Sequence, residues 1–155
     1  MRIHLARDQE FRLRLALQGA GSTEIGGQLF GEQLAPSVFR VTELTIQKRR
    51  GSFARFVIDL LQAAADAVRF FDRTGHRYTR FNYIGEWHSH PSFEVSPSAT
   101  DLESMRRLVT DETFRGTFAI LLIVRLDGNT LARNARLFDP HGTVQAVDWE
   151  VESER

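Results

Sequence analysis

The chain has 155 residues, 42% apolar and 26% charged, a balance that suits one globular domain over residues 1–155 with a sizeable core. Twenty basic and twenty acidic residues cancel, which argues against a general nucleic-acid or membrane-binding surface. The absence of cysteine excludes disulfides, thiolate metal sites and cysteine nucleophiles together.

Arg2 to Leu5 predicts a short edge strand, and Asp8 to Leu17 a helix with Phe11, Leu13, Leu15 and Leu17 set irregularly among arginines. The charged N-terminus has no apolar segment of the secretory kind, and no apolar run could span a bilayer. The expected location is therefore the cytoplasm. Gly19-Ala20-Gly21-Ser22 is a break. Glu24 to Glu32 then predicts a glycine-containing strand, with Val38 to Ile46 as its partner. Lys48 to Gly51 reads as a basic turn.

Phe56 to Asp72 carries the clearest helical pattern, with Leu60, Leu61, Ala64, Val68 and Phe71 forming one apolar stripe and Gly75 ending it. Phe81 to His88 predicts a strand. A helix is expected from Ser98 to about Val109, presenting Leu102, Met105 and Leu108 on one face. Phe118 to Leu126 is a continuous apolar run, as in a strand buried on both faces. Asp127-Gly128-Asn129 signals a hairpin, and Thr130 to Phe138 and Val144 to Val151 read as further strands. Interleaved strands and helices give the expected class: α/β (α+β), a three-layer fold with a central mixed sheet flanked by helices.

The most informative stretch is His88-Ser89-His90-Pro91 followed by Ser98 and Asp101, the pattern H-x-H-x7-S-x-x-D. Two histidines at i and i+2 at a strand end point to one side. A carboxylate returned by the following turn completes a three-ligand site with a fourth position open for water, the mark of a catalytic zinc. Ser98 and Asp101 also fit a capping box before Leu102 and Met105, and a rigid helix start is compatible with a ligand role. Upstream, Glu24-Ile25-Gly26-Gly27-Gln28-Leu29-Phe30-Gly31 reads E-x-G-G-x-L-x-G. A glutamate at a strand start is usually solvated, yet a zinc–water site needs a proton acceptor outside the metal's own ligands. Glu86 shares the histidines' side of the strand but no pattern supports a role; Asp111 is a second nearby acid. Trp87 alternates with the histidines and is expected to pack into the sheet. His4, His76 and His141 read as surface residues, and Lys48-Arg49-Arg50 and the stretch Arg73 to Arg80 as a solvated basic face, with a modifier-contacting surface as the alternative.

Together Glu24, Gly26-Gly27, Leu29, Gly31, His88, His90, Pro91, Ser98 and Asp101 resemble the JAMM (MPN+) zinc metallopeptidases, from about Thr23 to about Leu137. The resemblance implies a fold related to cytidine deaminases. It implies Zn2+ held by His88, His90 and Asp101, Glu24 as the base, and Ser98 as the oxyanion donor. It also implies cleavage after the C-terminal tail of a ubiquitin-like protein. The short chain is similar to prokaryotic members found beside activating-like and conjugating-like enzymes, including in anti-phage systems such as CBASS. Two rivals are a peptidase that trims a sulfur-carrier protein and a non-catalytic MPN scaffold.

Overall fold

A computed structural model describes residues 1–47 and 60–152. In chain order they form β1 (Arg2–Leu5), α1 (Arg7–Ala20), β2 (Gly26–Ala35), β3 (Val38–Leu44), α2 (Leu60–Arg73), β4 (Phe81–Ser89), α3 (Ala99–Thr110), β5 (Ala119–Asp127), β6 (Thr130–Phe138), β7 (Val144–Ala146) and β8 (Asp148–Val151). The strands make one 8-stranded sheet in the order β7-β6-β5-β4-β2-β3-β1-β8. It is mixed: β4 runs parallel to β5, and β1 parallel to β3 and β8, while the other neighbours are antiparallel.

Three layers result. Leu13 and Leu17 of α1 pack on one face, against Ile3, Leu29, Trp87, Ile120, Leu122 and Val124. On the other face α3 packs Met105 and Val109 against Ala119, Leu121 and Ile123. Successive residues of β5 thus enter opposite cores, which is why its sequence is apolar without alternation. Phe70 of α2 stacks on Phe30 of β2 with ring centroids 4.8 Å apart, and Phe71 and Tyr83 meet the same ring edge-on. The turn after Asp127 is the expected tight hairpin, with Asp127 opposite Thr130 and Gly128 at positive φ.

Several expectations are corrected. β1 is interior, because β8 pairs along its outer side and Ile3 and Leu5 are fully buried. The single strand expected over Val144 to Val151 is two strands at opposite ends of the sheet, separated by Val147 alone. The sheet must therefore curl until its two edges are one residue apart in the chain. In α1 the buried set is Gln9, Leu13, Leu17 and Ala20, while Phe11 and Leu15 face outward.

The largest correction concerns α2. Leu60, Leu61 and Val68 are 78%, 86% and 59% exposed, and Ala63, Asp66 and Phe70 face the sheet instead. Both sets have helical spacing. The buried face is the one that meets the aromatic cluster, where Phe70 stacks on Phe30. The expected start of that helix at Phe56 and the basic turn at Lys48 to Gly51 lie outside the described residues.

Candidate metal centre

β4 ends at Ser89, and the backbone stays in register one residue further, where the His90 N–H donates to the Val124 carbonyl at 2.9 Å. His88 and His90 therefore leave the strand on one side. Both are nearly buried, at 9% and 4% exposure. Their Nε2 atoms are 3.1 Å apart. Asp101 reaches them from α3, with Oδ1 3.4 Å from His88 Nε2 and Oδ2 3.8 Å from His90 Nε2.

A tetrahedral ion with bonds of about 2.0–2.2 Å needs ligand atoms about 3.3–3.6 Å apart. The His88–Asp101 spacing of 3.4 Å lies in that range, and the 3.1 and 3.8 Å spacings lie a few tenths of an ångström to either side, within reach of side-chain rotation. Nitrogen chemistry supports the fit. His90 Nδ1 is 2.7 Å from the Glu94 carbonyl oxygen, which only accepts, so Nδ1 carries a hydrogen and the lone pair of the neutral ring lies on Nε2. A bare nitrogen this close to a second imidazole nitrogen calls for a proton or a cation between them. Among the described residues this trio is the group of side chains able to share an ion; Glu24 lies outside it.

Asp101 is both cap and candidate ligand. Ser98 caps α3: its hydroxyl accepts from the Asp101 N–H at 3.1 Å, and the Asp101 carboxylate accepts from the Ser98 N–H at 2.7 Å. The Ser98 hydroxyl also donates to Asp101 Oδ2 at 2.7 Å. The Asp101 carboxyl sits at about 2. Burial pushes it up, but hydrogen bonds from His88 and Ser98 and the nearby His88 charge outweigh burial. It remains an anion throughout the neutral range, as a metal ligand must.

Glu24 precedes β2 rather than opening it, and is 4% exposed. Ser89, the middle residue of His-x-His, positions it. The Ser89 hydroxyl accepts from the Ile25 N–H at 3.0 Å, and the Ser89 N–H donates to the Ile25 carbonyl at 2.8 Å. Gly26 then pairs with His88 in the ladder. Close packing explains the glycines of this segment. A Cβ on Gly27 would lie 2.1 Å from the Thr45 carbonyl oxygen, and one on Gly31 2.0 Å from that of Arg40. Sequence reasoning missed Ser89, whose partner lies 64 residues away.

Trp87 is fully buried on the opposite face, with its indole N–H donating to the Thr45 carbonyl at 2.9 Å, as expected of a residue alternating with the histidines. Glu86 lies beneath the site on the His88 side. Burial raises its carboxyl from 4.5 to about 7, against the opposing pull of His88 and the nearby Tyr83 hydroxyl. A raised carboxyl costs stability as pH rises from about 4.5 through 7, because the unfolded chain releases its proton first. Glu86→Gln is therefore expected to stabilise the metal-free protein at pH 8, by up to about 3 kcal/mol, and far less at pH 4. Urea midpoints at the two pH values check this, and an equal change at both would contradict it.

The remaining candidates are structural. Asp111 caps the end of α3 and accepts from Thr113. Arg73 pairs with Glu43, Arg80 with Glu32, and Arg77 lies over the Phe81 ring 4.9 Å from its centroid, so much of this basic stretch is engaged within the fold. His76 and His141 are exposed, while His4 is half-buried beside Glu150.

A family model described as prokaryotic homologs of the JAB domain matches residues 10–137. A protein named CD-NTase/cGAS isopeptidase from Vibrio cholerae is 37% identical over 95 residues, 51% of this chain and 57% of that protein. The match thus spans less than two thirds of that relative. The fold is shared with a protein from Desulfitobacterium hafniense (TM-score 0.72, 20% identity, 98% of this chain and 94% of that one). It is also shared with a JAB1/MPN domain protein from Archaeoglobus fulgidus (TM-score 0.51, 21% identity, 99% and 100%).

Proposed function

We propose, from the premise that this chain belongs to the prokaryotic homologs of the JAB domain, that it is a zinc-dependent isopeptidase acting after the C-terminal tail of a ubiquitin-like protein. The observation that carries this reading is the convergence of His88, His90 and Asp101 on one point within zinc-ligand spacing. The Vibrio relative's name couples isopeptidase activity to a CD-NTase/cGAS enzyme. We extend that to this chain: its substrate is a ubiquitin-like conjugate of a nucleotidyltransferase, in an anti-phage operon with activating-like and conjugating-like enzymes. It acts in the cytoplasm as a single domain over residues 1–155; no helix among the described residues is long and apolar enough to cross a membrane.

In this reading His88, His90 and Asp101 hold the ion. Zinc, when bound, supplies Lewis-acid polarisation of the carbonyl and an acidified water. Glu24 accepts a proton from the attacking water as its oxygen bonds to the carbonyl carbon. It returns that proton to the amine nitrogen as the carbon–nitrogen bond breaks. Ser98 donates to the developing oxyanion, turning its hydroxyl from Asp101 Oδ2 to do so. The burial of Glu24 keeps bulk water from competing for that proton. β4 is flanked by β2 and β5, so an extended tail cannot pair with the histidine strand itself and must lie across its end.

The test is a candidate modifier fused through its tail glycine to a reporter. About one zinc per chain and chelator-sensitive release are expected. A purified protein that carries zinc yet releases nothing would favour a scaffold role, and release unaffected by chelator would remove zinc from the reaction.

A further inference from the structure

Arg125 lies on β5, beside a loop that carries no motif. Its guanidinium is fixed at three points. Nε and Nη2 both donate to the Asp127 carboxylate at 2.8 Å, and Nη1 donates to the Phe93 carbonyl at 2.7 Å. The next carbonyl, that of Glu94, accepts from His90 Nδ1. The Phe93 ring also lies against the His90 imidazole, with centroids 4.6 Å apart at 49°. The loop after Pro91 is thus anchored twice to β5: at His90, whose N–H bonds Val124, and at Phe93, held by Arg125.

We propose that Arg125 is a positioning residue for His90, acting through the Phe93–Glu94 backbone to fix the imidazole as the Nδ1–H tautomer. The proposal rests on the reading of His90 as a metal ligand, and it assigns the orienting partner that a ligating histidine requires. A loop carbonyl left without an anchor turns toward solvent, and both tautomers of His90 become available. The Nε2–H tautomer has no lone pair on the nitrogen that faces His88 and Asp101. A planar fork suits this task because one side chain grips a carboxylate with two donors and a carbonyl with a third, a geometry that a lysine ammonium lacks.

The test uses the metal-free full chain at a pH where the His90 15N shifts themselves show a neutral ring. Long-range 1H–15N spectra are expected to show His90 as the Nδ1–H tautomer in the parent protein. In Arg125→Ala they are expected to show a mixture, with zinc affinity falling about 10- to 100-fold. Arg125→Lys is expected to recover only part of both. Where Arg125→Ala does not fold, Asp127→Asn keeps the arginine but replaces its bidentate carboxylate brace with a single neutral acceptor, and a smaller shift in the same direction is expected. A folded variant with an unchanged His90 tautomer overturns the proposal. The ligand reading fails separately: zinc affinity unchanged by His90→Ala would sink it while leaving the tautomer measurement intact.

Discussion

Glu24→Gln is expected to leave zinc content unchanged and reduce cleavage by about 10²–10⁴-fold, the usual contribution of a positioned general acid–base. The two effects separate because Glu24 lies outside the His88–His90–Asp101 group. Gln is close in size to Glu, and the Ser89–Ile25 hydrogen bonds that place residue 24 are made by hydroxyl and backbone atoms, so the geometry persists. Loss should fall on kcat, since the proton moves only in the reaction itself. A Glu24→Gln protein that cuts at the parent rate removes Glu24 from the mechanism. Loss of zinc along with activity would instead make it part of the metal site.

Asp101 offers the second large effect, because the capping role and the proposed ligand role meet in one carboxylate. Asp101→Ala is expected to abolish zinc copurification and also to cost about 1 kcal/mol of metal-free stability through the lost reciprocal cap. Asp101→Asn retains an amide oxygen that can accept from the Ser98 N–H, so the helix start should survive within about 0.5 kcal/mol. Its neutral amide is a far poorer zinc ligand than a carboxylate. Metal analysis combined with urea unfolding of the metal-free variants separates the two roles. Tight zinc binding by Asp101→Ala would mean that the spacing seen here is that of a cap alone.

Exposure on α2 bears on how such sequences are read. Of the expected apolar stripe, Leu60, Leu61, Ala64 and Val68 point away from the sheet, and Phe71 alone reaches the Phe30 cluster. Periodicity identifies a helix and its stripes. It does not say which stripe finds a partner, and here Phe70 meets Phe30 because β2 lies beneath it.

The amino-acid sequence by itself determined the candidate ligand set and most of the order of elements. The H-x-H-x7-S-x-x-D pattern is local, so the strand end, the cap and the convergence of His88, His90 and Asp101 follow from short-range geometry. The apolar run of β5, the Gly128 hairpin and the helix begun by Ser98 are local in the same way. Tertiary structure alone decided that β1 is interior, that Val147 separates two opposite edges, that Ser89 ties Glu24 to the histidine strand, and that Arg125 braces the loop beside His90. These depend on pairings between residues far apart in the chain. Their free energy comes from desolvating both partners together, and no window of sequence contains both.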